Sequence, residues 1–256
     1  MGFKHHTSRR MWAQTQLTKV KRGTHASKAV SLSKPSFSLK AAELALHENL
    51  MACVIFACGN PVLVENDITS LEGEIVFIQP GVQHRVVVRE GGAKVIYLEG
   101  VQLPQANVAF QKIDARWSHV PKGFEDGNHK LTSDLRHEIE EKRPAPDPKV
   151  MEIVARLYSA PFERMSQNEL SERLGLERTL ALRHFKATTG QTFRKFKIWA
   201  GIVAAARHAH QVEKIGLAGI DAGFSDAAHT ARTALEVFGV TPTKGLGGLI
   251  KMQTLE

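Results

Sequence analysis

Two stretches near the C-terminus follow one plan: a short helix, a glycine corner, and a second helix carrying an arginine. The first, ELSERLGLERTLALRHFKATTG, runs from Glu169 to Gly190; the second, IGLAGIDAGFSDAAHTARTALEVFG, runs from Ile215 to Gly239. In each, a glycine followed by an apolar residue (Gly175-Leu176, Gly223-Phe224) stands where a helix-turn-helix needs a sharp corner, because glycine takes a left-handed backbone without a Cβ clash. An arginine follows about two helical turns later, Arg183 in one and Arg232 in the other, and Gly190 or Gly239 closes the helix. One such pattern arises by chance in any helical hairpin. Two in tandem, joined by one more helix, form a DNA-reading architecture, with a plain basic helical bundle as the alternative.

The joining segment supports the first reading. From Thr192 to about His208, the apolar residues Phe193, Phe196, Ala200, Val203 and Ala206 recur every three to four positions, so one helical face is buried. Thr192 is the expected N-cap. A helix of that length rises roughly 26 Å, which suits a spacer between two reading helices in major grooves about 34 Å apart. The first unit opens with Ser166 and Glu169, an S-x-x-E capping box, and Leu170, Leu174, Ala181 and Phe185 are its expected core. The second has Ser225 or Asp226 as N-cap.

These residues resemble a known family. From about Val150 to Leu246 the chain is similar to the DNA-binding domain of AraC/XylS-type transcriptional regulators. The likeness rests on LSERLGL, RHFKATTG, the Phe193-Arg194-Lys195-Phe196 run with Trp199, and above all AGFSDAAH through FGVTP. It implies that Thr179, Leu182 and Arg183 face bases, with Arg178 and Lys186 near phosphates. In the second unit it implies DNA-facing positions at Ala228, His229 and Arg232. An arginine so placed can bond guanine O6 and N7 together, worth roughly 1–3 kcal/mol of discrimination; a surface ion pair with Glu172 or Glu177 is the plainer role for Arg183. The chain departs from the family pattern at Thr230, where Leu or Phe is usual, at Ala234, where Phe is usual, at Leu235 and Glu236, where basic residues are usual, and at Gly201, where Arg is usual. A looser second unit and weaker reading by it are expected.

The positive charge is unevenly placed. Residues 1–40 carry nine Lys and Arg and no acid; residues 41–149 carry eleven basic and sixteen acidic residues, and 150–256 carry fourteen and ten. The N-terminal arm (Lys4, Arg9, Arg10, Lys19, Lys21, Arg22, Lys28, Lys34, Lys40) has no clear period. It reads as a disordered segment contacting phosphates, as a transit peptide, or as the product of a start codon set upstream of the true one, with Met11 as a later candidate. No run of eighteen apolar residues marks a membrane span. Cys53 and Cys58 sit in a strand-like apolar segment at odd spacing, which reads as two buried free thiols in a reducing, cytoplasmic setting.

From Ala41 onward, short apolar runs alternate with turns: Met51–Ala57, Pro61–Val64, Ile75–Ile78, Gln83–Val88 and Lys94–Leu98, punctuated by Asn60-Pro61, Pro80-Gly81 and Gly91-Gly92. Such spacing predicts a sandwich or jelly roll. In GEIVFIQPGVQHRVVV, a strand, Pro80-Gly81 and then His84 resemble the second cupin motif. The first cupin motif is incomplete: HENLMACVIF offers His47 and Asn49, with Cys53 or Val54 where Glu is usual. Metal binding wants about three convergent ligands, so a metal-free pocket lined by His47, Asn49 and His84, or a packed core, is expected. Asn128–Arg143 reads as a charged helix with Leu131, Leu135 and Ile139 on one stripe, serving as a dimer surface, a cover for the barrel or a solvated connector. After RPAPDPK, Asp147 as N-cap and Pro148 at the first helical position start a new helix through Ala160.

The fold class expected is therefore α+β and multidomain: an N-terminal cupin-like β-barrel or sandwich and a C-terminal all-α tandem helix-turn-helix domain. The boundaries expected are a basic disordered arm over 1–40, a cupin-like effector or dimerisation domain over 41–118, a connector over 119–147, and a DNA-binding domain over 148–250 with units at about 166–187 and 214–238. The function expected is that of an effector-responsive, sequence-specific transcription factor without catalytic residues, metal or cofactor. Its partners are promoter DNA, a small-molecule effector, RNA polymerase and a second copy of the chain. A metal-dependent cupin enzyme with a helical appendage, or a decayed family member with weakened DNA binding, are the alternatives.

Overall fold

Period-two alternation builds the N-terminal half. In Gln83–Val88 the side chains of His84, Val86 and Val88 are buried while Gln83 and Arg85 face solvent, as a half-buried strand requires. A computed structural model of the chain describes residues 36–98, 108–139, 146–212, 219–220 and 222–253. The basic residues Lys4 to Lys34 of the expected arm, Arg143 of the connector, and residues 213–218 at the start of the second helix-turn-helix lie outside them.

The strands are β1 (Ser36–Leu39), β2 (Ala42–Glu48), β3 (Ala52–Ala57), β4 (Val62–Glu65), β5 (Ser70–Gly73), β6 (Ile75–Ile78), β7 (Gln83–Val88), β8 (Ala93–Leu98) and β9 (Phe110–Lys112). A strand from the far end of the chain, β10 (Ile250–Gln253), joins them. They form two antiparallel sheets, ordered β10-β1-β8-β3-β6-β9 and β2-β7-β4-β5. The observed form is a sandwich of two sheets; no closed barrel forms among the described residues.

Strand β3 explains the layering. Cys53 and Ile55 point into the sandwich, and Ala52, Val54 and Phe56 point out; nearly all are fully buried. Two helices cover the outer face, α1 (Val120–Glu125) and α2 (His129–Ile139), through Val120, Phe124, Leu135 and Ile139. The stripe of Leu131, Leu135 and Ile139 thus covers the larger sheet. This corrects both the dimer-surface and the solvated-connector readings, because Leu135 and Ile139 have no free face to offer.

The longer helices that follow among the described residues are α3 (Pro148–Ser159), α4 (Gln167–Leu174), α5 (Arg178–Thr189), α6 (Phe193–Val212) and α7 (Ala227–Phe238). Asp147 caps α3 by accepting the Lys149 amide, with Pro148 at its start. Beyond α7 the chain turns at Pro242–Lys244 and returns to the sandwich, where β10 pairs with β1 in the register Ser36↔Gln253 to Leu39↔Ile250. The sheet therefore begins at Ser36, ahead of the boundary expected at 41, and takes an edge strand from beyond the helices. The described residues belong to a single compact unit, so the helical half is packed onto the sandwich. Phe37, Tyr97, Trp199 and Phe238 meet at the junction.

Candidate nucleic-acid interface and effector cavity

Helix α5, the first expected to read DNA, is set by local chemistry. Ser166 caps α4 by accepting the Glu169 amide at 3.0 Å. Glu169 does not complete the capping box; its carboxylate pairs with Arg173 one turn on. Gly175, at φ +67°, makes the corner. Glu177 then caps α5, accepting from the Thr179 and Leu180 amides. Those amides are therefore occupied by a carboxylate.

Leu170, Leu174, Ala181 and Phe185 are buried as expected. The opposite face of α5 presents Arg178, Thr179, Leu180, Arg183 and Lys186 to solvent, with Leu182 half-buried beside them. Arg183 forms no ion pair with Glu172 or Glu177 among the described residues. Its neighbour His184 turns inward and bonds the Asp147 carboxylate at 2.7 Å. That bond, with the Lys149 amide, holds the Asp147 pKa below its ordinary value.

The second reading helix is capped by Asp226, which accepts the His229 amide at 2.7 Å. The Ser225 hydroxyl bonds both Asp226 and the His229 ring, and the His229 amide and this hydroxyl lower the Asp226 pKa. Ala228, His229 and Arg232 are exposed, while Thr230, Thr233, Ala234 and Val237 are buried. The departures from the family pattern have local partners. The fully buried Thr230 lies so close to Gly219 that a Cβ there would sit 2.0 Å from its hydroxyl, which bonds the Asp226 carbonyl. Gly201 lies beneath the Phe224 ring, 3.3 Å from where a Cβ would stand. Small residues here permit close helix approach.

The spacer α6 joins the two. Thr192 accepts the Lys195 amide at its start, and Phe193 and Phe196 pack edge-on against Phe185 of the first unit. Further along, the Trp199 indole donates to the Tyr158 hydroxyl and its ring lies 4.7 Å from that of Tyr97 in the sandwich. Lys195 pairs with Glu48, and the buried Gln191 side chain donates to the Leu50 carbonyl. The spacer is thus anchored to the sandwich over its first two turns.

The three pocket residues expected from the sequence come together inside the sandwich. A bulge in β2 shifts the register between Leu44 and His47, leaving Ala45 and Leu46 exposed and turning His47 inward opposite His84; an extra residue of this kind moves every later side chain to the other face. The two imidazoles stand 4.2 Å apart. Each Nδ1 lies 2.8 Å from a backbone carbonyl, of Ala45 for His47 and of Val82 for His84. A carbonyl only accepts, so Nδ1 carries the proton and Nε2 is left as an acceptor. Burial, with His84 alongside, pushes the His47 pKa from 6.5 to about 3, and burial lowers that of His84. Asn49 lies between His84 at 3.5 Å and the Cys53 thiol at 3.1 Å.

These groups line a cavity of about 30 Å³ with Tyr97, Phe238, Ile250 and apolar side chains of both sheets. That is room for about one water. No Lys, Arg, Asp or Glu lines it. Among the described residues no three His, Cys, Asp or Glu side chains converge as a metal site, and no helix is long and apolar enough to cross a membrane. Cys53 was legible as the residue at the usual cupin Glu position, and Tyr97 alternates inward with Val95 along β8. Phe238 carried no sequence signal, since it reaches the cavity only through docking of α7.

Neither a protein-family model nor a curated protein matches the sequence. Among solved structures, ToxT from Vibrio cholerae is similar at a TM-score of 0.58 and 10% identity, over 85% of this chain and 98% of that one. ToxT bound to (E)-4-(8-methylnaphthalen-1-yl)but-3-enoic acid gives 0.56 and 14%, over 85% and 98%. Unsaturated fatty acid bound wild-type ToxT gives 0.53 and 11%, over 85% and 95%. At this identity the likeness is one of fold, and it spans both the sandwich and the helices: the chain has a ToxT-like fold.

Proposed function

We propose that this chain is a sequence-specific, DNA-binding transcriptional regulator of the AraC/XylS type, responsive to a small molecule held in its sandwich. The observation that carries this reading is the pair of exposed reading faces, Thr179, Arg183 and Lys186 on α5 and Ala228, His229 and Arg232 on α7, on helices joined by one buried spacer. The ToxT-like fold supports it, ToxT being an AraC-family regulator. The effector reading rests on the cavity, whose wall includes Phe238 at the end of the second reading helix. Promoter DNA is the principal partner; RNA polymerase and a second copy of the chain are the further partners this reading entails.

The test is a salt-titrated binding assay on the chain's own upstream intergenic DNA, with unrelated DNA as competitor. A preference of about a thousandfold or more is expected of a specific reader. Equal, steeply salt-dependent binding to both would leave only phosphate contacts and would favour the decayed-reader alternative.

A further inference from the structure

Phe238, part of the cavity wall, sits in an aromatic box. Phe238 lies 5.5 Å from Phe37, 6.1 Å from Tyr97 and 5.9 Å from Trp199, centroid to centroid. Phe37 and Tyr97 stand edge to face at 5.7 Å. All these separations suit aromatic packing. The cavity holds free space for one small polar group, faced by two imidazoles whose Nδ1 protons are already committed to backbone carbonyls. What they bring to the cavity is acceptor nitrogens, the Nε2 of His47 and the Nε2 of His84, the latter shared with the Asn49 amide at 3.5 Å.

Given that the cavity is the effector site, we infer that its ligand is a small, uncharged aromatic hydrogen-bond donor of the phenol class, bound in place of Phe238. Its ring takes the box of Phe37, Tyr97 and Trp199, and its hydroxyl donates to an imidazole Nε2 of His47 or His84. A carboxylate has no cation to meet among the lining residues and would face two acceptor lone pairs, an arrangement that costs more the deeper it is buried. A ring without a donor fills the box and leaves the His47 Nε2 unanswered.

The exchange has a built-in consequence. The residue after Phe238 is Gly239, whose carbonyl accepts the Ala45 amide of the β2 bulge at 2.9 Å. Withdrawing Phe238 from the box pulls on this bond, so a ligand there and a docked end of α7 exclude each other. Occupancy of the sandwich is then linked to the position of the second reading helix.

The experiment is calorimetric titration of the full-length chain and its Phe238→Ala variant with phenol, toluene and benzoate. The variant is expected to bind phenol about tenfold or more tighter than either comparison compound, the discrimination of one buried hydrogen bond, and tighter than the unaltered chain does. Phe238→Leu serves the same comparison if the alanine variant does not fold. Toluene or benzoate binding as well as phenol in a folded variant, or no binding of phenol by either folded variant, overturns the assignment. In the unaltered chain, phenol is expected to speed hydrogen exchange of the Ala45 amide; binding that leaves this amide protected overturns the displacement. Phenol binding with the Ala45 effect but no change in DNA affinity upholds the ligand assignment and tells against the regulator reading alone.

Discussion

Gly239 rests against His47: a methyl group on its Cα would stand 2.6 Å from the His47 Nδ1 and 2.7 Å from the Ala45 carbonyl oxygen. This is where the end of the second reading helix meets the wall of the cavity. The contact needs two things that only glycine supplies, the left-handed backbone at φ +69° that closes α7 and the absence of a Cβ. The bulge in β2 is its counterpart, turning His47 inward and presenting the Ala45 backbone outward to the helix end.

Gly239→Ala is accordingly expected to destabilise the chain by more than backbone strain alone. Gly175 provides the comparison, with φ +67° and nothing within 4 Å of where its methyl group would stand. Gly175→Ala should cost about 1–2 kcal/mol, the strain of a left-handed non-glycine residue, and Gly239→Ala at least about 2 kcal/mol more for the displaced imidazole and carbonyl. Urea denaturation of both variants measures the difference. Equal costs would mean that the helix end does not press on the sandwich.

The buried histidines make stability fall on mild acidification. In the unfolded chain an imidazole takes its proton near pH 6.5; folded, His47 does so only near 3 and His84 below its ordinary value. Between these pH values the unfolded state binds more protons, so stability is lost as pH falls below about 6.5. The slope reaches about 1.4 kcal/mol per pH unit for His47, roughly 2 kcal/mol by pH 5, with His84 adding in the same direction. Denaturation at pH 7 and pH 5 reads this directly, in a window where carboxylates remain ionised. The double variant His47→Gln, His84→Gln should show a flatter dependence, and an unchanged slope would place the effect elsewhere.

How much of this was legible follows from the range of each interaction. Helices α4, α5 and α7 were readable because their signals are local: a glycine at the corner, a carboxylate or serine at the cap, a buried stripe at helical spacing. Gly175, Asp226 and Phe185 act within a few residues of where they stand. The inner face of β7 was readable for the same reason, by alternation from His84 to Val88. In β2 alternation from Leu44 puts Leu46 inside, and only the bulge reverses that. Strands β1 and β10 are four residues each and pair Ser36 with Gln253, so neither has a local partner to reveal it. Phe238 enters the cavity because two halves of the chain dock, a fact that no periodicity encodes.

The two cysteines should differ sharply toward an alkylating reagent. Cys53 is fully buried against Asn49, and burial pushes its thiol pKa up; Cys58 is exposed just beyond the end of β3. Since the thiolate is the reactive form, native protein should incorporate one label per chain, at Cys58, and denatured protein two. Rapid native labelling of Cys53, located by mass spectrometry, would show that the sandwich opens readily.

The anchoring of the spacer should depend on Gln191 more than on the ion pair beside it. Gln191 is buried and uses both ends, donating to the Leu50 carbonyl and accepting the Thr192 amide. Gln191→Ala leaves these groups without their partner and should cost about 1–3 kcal/mol. Lys195 and Glu48 remain partly exposed, where such pairs contribute about 0–1 kcal/mol, so Glu48→Gln should change little. Thermal denaturation of the two variants ranks them, and the reverse order would make charge the principal anchor.

On DNA, Arg183 and Lys186 should separate into two kinds of contact. Arg183 stands exposed near the middle of the reading face, and Lys186 lies one turn on toward the helix end. If Arg183 reads a guanine, Arg183→Ala should lose about 1–3 kcal/mol against the preferred site and little against unrelated DNA, relaxing specificity at one position. If Lys186 meets a phosphate, Lys186→Ala should weaken binding to all sequences alike and reduce the salt dependence by about one counterion. Glu177 makes the distinction sharper, because its carboxylate already occupies the first amides of α5 and leaves the anchoring of this helix to such side chains. The measurement is a salt series on specific and unrelated duplexes for each variant. Equal losses on both duplexes for Arg183→Ala would remove base reading from the first unit and leave His229 and Arg232 to supply it.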